Sequence, residues 1–185
     1  DPIPFEEAAR IGTDKVIRDH STIGIVMTTD GSVNDIPRSA VEKVEEEIVG
    51  QLKEIGKPFV ILLNCRFPDN DQTAYLRQEL FDKYNVPVIA AAVDRMSVHE
   101  IQFVLREALY EFPVTTFELL KPEWMDVLDN DHPLKESLQN SIDSWSSQVS
   151  KIRDVKDLAT FIADEPYVEH AEVIDVDAGK GKASI

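Results

Sequence analysis

Residues 58–66 read PFVILLNCR, a run of five apolar residues, 59–63, that leads straight into Asn64. Apolar runs without polar alternation are how strands covered on both faces read. Two similar runs flank this one. STIGIVMTTDG has an apolar centre at 23–27 and a turn at Asp30-Gly31, and VPVIAAAV occupies 86–93. Helical patterns separate the three. Val41, Val44, Ile48, Leu52 and Ile55 keep to one helical stripe, with Asp35 as cap, Pro37 in the first turn, and Gly56 and Pro58 as the stop. In NDQTAYLRQELFDKY, Leu76, Leu80 and Tyr84 share a face behind Asp71 as a cap. SVHEIQFVLREALYEFP opens with Ser97 and Glu100 at capping-box spacing and turns Ile101, Val104, Leu105 and Ala108 inward. A further helix over 5–20 precedes the first strand. Helices alternating with buried strands predict a parallel sheet with right-handed crossovers over residues 1–113. With three strands visible, the sheet is expected to be incomplete.

Composition narrows the partners. The 185 residues carry 19 Lys and Arg against 35 Asp and Glu, a net charge of −16, which repels nucleic acid and anionic lipid in the absence of a basic patch. No nucleic-acid partner is expected. The single cysteine, Cys65, excludes an internal disulfide and fits a reducing compartment. His20, His99, His132 and His170 have no spacing suited to zinc, so no metal site is expected. No apolar run reaches the roughly 18–20 residues that span a bilayer.

Residues 114–185 change character. PVTTFELLKP suits one strand and 124–128 a short helix behind Pro122. Leu134, Leu138, Ile142, Trp145, Val149 and Ile152 form an amphipathic stripe on a longer helix opened by Pro133, expected to pack on the α/β part. A short helix over 155–162 follows. AEVIDVDAGKGKASI closes as a hairpin around Gly179-Lys180-Gly181. The chain opens on Asp1, and its last strand has barely begun at Ile185, so both ends are expected to be cuts. The fold class is therefore α/β, followed by a partial α+β domain, helical and then a hairpin.

The chemistry-bearing positions sit at strand ends, where ligands bind in open α/β sheets. A phosphate loop needs Gly-x-x-x-x-Gly-Lys-Ser/Thr, and the nearest approach, AGKGKAS, has Val176 where the first glycine is required. No catalytic residue is assigned. Asp30 either makes the turn into the next loop or serves as a phosphoacceptor. Asn64 either ties down a loop or touches a nucleobase. Three positions on stands Phe67 rather than a carboxylate, so nothing there selects guanine, while Arg66 or Phe67 could stack on any purine. The small residues of AAAVDRM suit both a loop lying close to a planar ring and a crowded strand–helix junction. Glu45-Glu46-Glu47 reads as a solvated helix face.

PIPFEEAARIGTDKVIRDHSTIGIVMTTDGSVNDIPRS, GKPFVILLN, VPVIAAAV and LREALYEFPV, with LKESLQNSI and KIRDVKDL later, resemble the stage IV sporulation protein A family of endospore-forming bacteria. The resemblance implies the distal half of a phosphate-loop GTPase-like ATPase domain over 1–113 and part of a middle domain over 114–185. For the longer protein it implies ATP with Mg as cofactors. It also implies self-assembly into a polymer that forms the base layer of the spore coat, on the forespore surface facing the mother-cell cytoplasm. A small amphipathic membrane peptide and spore coat morphogenetic proteins are the implied partners. Asn64, Ala91, Ala92 and Val93 are the positions it places near the nucleotide base. The phosphate loop, switch threonines and magnesium-side aspartate would precede Asp1, which leaves this piece without catalysis; Thr28 and Thr29 are not those switch threonines. Two other readings remain, a receiver-type signalling module using Asp30 and a non-enzymatic α/β interaction module.

Overall fold

The computed structural model describes residues 4–33, 36–129, 131–146, 149–165 and 167–185. The chain divides into two compact units, the first running to Ala108 and the second Leu109–Ile185. The cap expected at Asp35 lies outside the described residues.

In the first unit the elements alternate as α1 (Phe5–Lys15), β1 (Gly24–Thr29), α2 (Arg38–Glu54), β2 (Phe59–Asn64), α3 (Asp71–Tyr84), β3 (Val88–Ala91) and α4 (Val98–Tyr110). The sheet is parallel, in the order β1-β2-β3, with Gly24 opposite Phe59, Thr29 opposite Asn64, and Asn64 opposite Ala91. Strand alternation divides β2 between two cores. Phe59, Ile61 and Leu63 pack with Val49 and Leu52 of α2 and Leu80 and Tyr84 of α3. Val60 and Leu62 pack with Ala91, Val104 and Ala108 on the α4 side. Residues 59–63 are at most 5% exposed. At about 25 cal/mol per Å² of apolar surface removed from water, burying these side chains stabilises both cores at once.

Several local expectations change. The helix expected over 5–20 ends at Lys15 and continues as a π-helical turn, Val16–His20. Lys57 Nζ closes that turn by donating to the carbonyls of Ile17 and Ser21 at 2.7 and 2.6 Å. Asn70, not Asp71, caps α3, its side chain accepting from the Gln72 N–H at 2.9 Å. The Ser97–Glu100 capping box forms as expected. On α2 the buried positions are Glu45, Val49 and Leu52, while Val44 is exposed. On α4, Val104 and Ala108 are buried but Ile101 and Leu105 stand about half exposed. β1 is not covered on both faces: Val26 and Thr28 are buried, whereas Ile25 and Met27 are exposed. It is an edge strand, and α4 covers the sheet over β2 and β3.

In the second unit β4 (Thr116–Glu118) pairs parallel with β6 (Lys182–Ser184), which pairs antiparallel with β5 (Asp175–Asp177). β6 is thus a central strand. Gly181 turns the hairpin at φ 65°, and a Cβ there would lie 2.8 Å from the Pro113 carbonyl oxygen. The stripe over 134–152 spans two helices, α5 (Pro133–Ser146) and α6 (Ile152–Ala163). Leu138, Trp145 and Val149 pack against Val155, Leu158 and Ile162 of α6 within this unit, and the Trp145 and Phe161 rings lie 4.4 Å apart. Asp154 caps α6 by accepting from the Ser150 and Lys151 N–H groups at 2.9 and 2.8 Å. No helix among the described residues is long and apolar enough to cross a membrane.

Candidate site at the carboxyl rim of the parallel sheet

Three loops leave the carboxyl ends of β1, β2 and β3, and side chains brace them together. After β1, Asp30 folds back on its own turn: its Oδ1 accepts from the Ser32 N–H at 2.8 Å and the Ser32 hydroxyl at 2.6 Å. The Thr29 hydroxyl accepts from the Gly31 N–H at 3.0 Å, and Gly31 takes φ 88°. Asp30 therefore does turn chemistry in this structure. The Ser32 hydroxyl accepts from the Arg66 N–H at 2.9 Å, linking the first loop to the second. The Arg66 carbonyl accepts from Arg95 Nη2 at 2.7 Å, linking the second to the third.

Asn64 makes the other cross-brace. Its Oδ1 accepts from the Val93 N–H at 3.2 Å, and its carbonyl accepts from the Asp30 N–H at 3.4 Å. The structure thus brings Asn64 and Val93 together and uses the Asn64 side-chain oxygen to hold the loop after β3. The side-chain nitrogen remains as its further donor. Asn64 also lines a groove of about 640 Å³ beside Thr28 and Thr29. Ala91 is buried with Val104 and Ala108 of α4, which accounts for its small size by strand–helix packing. Ala92 and Val93 lie at the rim, half-buried, Val93 opening a short 3-10 turn, Val93–Arg95. Phe67 is exposed, while Cys65 is wholly buried with its Sγ 3.7 Å from the Ala91 carbonyl oxygen. Burial pushes the Cys65 thiol above its ordinary value, with Asp30 adding to the effect.

Beneath the rim lies a buried polar network that the sequence reading placed in solvent. Glu45 is 4% exposed, not on a solvated face. Its carboxylate accepts from Arg38 Nη1 and Nη2 at 2.5 and 2.8 Å and from the Tyr84 hydroxyl at 3.0 Å. Arg38 Nη1 also donates to the Thr28 hydroxyl at 2.7 Å. Burial alone would raise the Glu45 carboxyl, but the Arg38 guanidinium, helped by Thr28 and Tyr84, outweighs it and holds the group below its ordinary value. A signal was available: Glu45 stands four residues from both Val41 and Val49, on the apolar stripe, with Arg38 two turns earlier. Glu46 and Glu47 are exposed, and Glu46 pairs with Lys83 at 2.5 Å.

The fit of these residues to a nucleotide is uneven. Asn64 Nδ2, Ala92 and Val93 could border a base. The phosphate end has no Gly-x-x-x-x-Gly-Lys loop in these 185 residues, and no cluster of three or more His, Cys, Asp or Glu suited to a metal occurs among the described ones. This chain's own residues therefore do not fit the phosphates and Mg, and no chemical step is routed through them.

A parallel sheet with a polar carboxyl rim, followed by a smaller mixed-sheet unit, defines an α/β domain with a second domain after it. Residues 1–113 match the family model described as stage IV sporulation protein A, ATPase domain, and residues 114–185 the model described as its middle domain. The chain belongs to the stage IV sporulation protein A family. It is similar to stage IV sporulation protein A of Bacillus subtilis, 43% identical over 185 residues, and to that of Bacillus anthracis, 41% identical over 185 residues. The Clostridioides difficile protein of the same name is 39% identical over 181 residues, 98% of this chain. The chain spans 38% of the length of the two Bacillus relatives and 37% of the Clostridioides one. No solved structure matches it.

Proposed function

We propose that these residues are the base-side half of the ATPase domain and part of the middle domain of a sporulation scaffold. In the longer protein, ATP and Mg are held by a phosphate loop outside these 185 residues, and Asn64, Ala92 and Val93 border the base. Nucleotide hydrolysis switches the subunit into a form that polymerises with its own kind. The polymer forms the base layer of the spore coat on the forespore surface, on the mother-cell cytoplasmic side. It rests on a small amphipathic membrane peptide and recruits coat morphogenetic proteins.

The observation that carries this reading is the match of consecutive ATPase and middle domain models along the whole chain. The cross-braced rim supports it by giving the base side a rigid wall. Calorimetric titration with Mg-ATP and Mg-GTP tests it. The expected result is saturable ATP binding by the longer protein and no heat from the 185-residue chain. Electron microscopy of the longer protein with ATP should show filaments. Saturable ATP binding by the 185-residue chain, or no ATP binding by the longer protein, would overturn the proposal.

A further inference from the structure

The parallel ladder ends on one rung, with Thr29 opposite Asn64 and Asn64 opposite Ala91. Two residues further on, side chains replace strand pairing. The Arg66 N–H donates to the Ser32 hydroxyl at 2.9 Å, and the Arg66 carbonyl accepts from Arg95 Nη2 at 2.7 Å. Asn64 is held in the same two directions, its carbonyl by the Asp30 N–H at 3.4 Å and its Oδ1 by the Val93 N–H at 3.2 Å. Between the two, the Cys65 N–H donates to the Ala91 carbonyl at 3.0 Å. Residues 64–66 are thus gripped at both ends, from the loop after β1 and from the loop after β3.

The Ser32 hydroxyl is oriented for this contact. A hydroxyl has one proton and two lone pairs. Asp30 Oδ1 takes the proton at 2.6 Å and also accepts from the Ser32 N–H at 2.8 Å, which leaves the lone pairs for Arg66. Neither grip on Arg66 builds the core. Ser32 is half-buried, Arg66 and Arg95 are exposed, and all three stand outside the apolar clusters of the first unit. Polar contacts at such positions add little stability, yet they fix where a loop stands.

We infer that Ser32 and Arg95 are positioning residues for base binding, acting through the Arg66 backbone to hold the loop rooted at Asn64. Asn64 has its Oδ1 committed to Val93 and only its side-chain nitrogen left to donate. That single donor meets a base at hydrogen-bond distance only while the loop keeps its place, and Ser32 and Arg95 keep it there from opposite sides. The inference rests on the reading of Asn64 as a base-side residue.

Equilibrium binding by the longer protein tests it, with Mg-ATP and Mg-tripolyphosphate as the probes. Tripolyphosphate has the phosphates and lacks the base. Ser32→Ala and Arg95→Met should each weaken ATP binding by about 3- to 10-fold, the scale of one lost hydrogen bond, and leave tripolyphosphate binding unchanged. Ser32→Thr and Arg95→Lys keep a hydroxyl and a cationic donor, and should restore ATP binding to within about twofold of the parent. Restoration is read independently of tripolyphosphate. Unchanged ATP binding in either Ser32→Ala or Arg95→Met would overturn the inference. So would equal losses of ATP and tripolyphosphate, or a failure of the Thr and Lys variants to restore binding, since both outcomes mark general loosening of the domain. Asn64→Ala keeps the two readings apart. If it weakens ATP binding while the Ser32 and Arg95 variants do not, the positioning role alone falls; if it leaves ATP binding unchanged, the base-side reading falls and the positioning role with it.

Discussion

Arg38→Met is the most informative single change in the first unit. The Glu45 side chain is 2% exposed, and Arg38, itself 17% exposed, is the cation that compensates it. Removing that cation leaves a buried carboxylate with only hydroxyl partners, and breaking a buried pair from one side costs about 3–5 kcal/mol. For a chain of this length each kcal/mol moves Tm by roughly 2–4 °C, so a fall of about 6–20 °C is expected. The readout is circular dichroism, because both tryptophans, Trp124 and Trp145, lie in the second unit. A triple change, Arg38→Met with Glu45→Met and Tyr84→Phe, removes both buried charges and the tyrosine hydroxyl but leaves the Thr28 hydroxyl without its Arg38 partner, and should return stability to within about 1–3 kcal/mol of the parent. The pH dependence has a definite sign. In the parent the Glu45 carboxyl lies below its ordinary 4.5, so its contribution is complete above that value and is lost as pH falls through the lower, folded one. In Arg38→Met unopposed burial raises the group, so the deficit is greatest at neutral pH and shrinks on acidification. A single mutant within about 1 kcal/mol of the parent at pH 7, or a triple mutant no better than the single, would refute the reasoning.

Three further outcomes are expected. Glu111, buried, pairs with Lys151 Nζ at 2.6 Å and Arg153 Nη1 at 3.2 Å, so Lys151→Met with Arg153→Met should cost more than the sum of the single changes by over about 1 kcal/mol, read on tryptophan emission during urea unfolding. Gly181→Ala places a Cβ 2.8 Å from a backbone oxygen at φ 65°, whereas Gly56→Ala, also at φ 65°, meets open space; the first should lose clearly more stability, and Gly56→Ala only about 1 kcal/mol. Cys65 is sealed and its thiol raised, so a thiol reagent should leave it unmodified at pH 8 in the folded chain and label it fully in denaturant.

What could be read from the sequence follows the range of the forces involved. The three parallel strands, the helices between them, the Ser97–Glu100 box and the hairpin at Gly181 depend on residues close together in the chain, where periodicity and capping chemistry act. Asn64 was placed at its strand end by the same logic. That its Oδ1 holds the Val93 N–H depends on β2 lying beside β3, 29 residues away in sequence.

The sequence by itself determined that residues 1–113 make helices alternating with apolar strands, because side-chain periodicity and end signals are written locally. Only the tertiary structure decided which of those apolar residues are covered. Two apolar runs that read alike became a sealed strand in β2 and an open edge in β1, because burial belongs to the neighbours and not to the strand. The same rule put Glu45 in the core: Arg38 and Tyr84 meet there at 2.5 and 3.0 Å, and a carboxylate leaves water only where such partners converge.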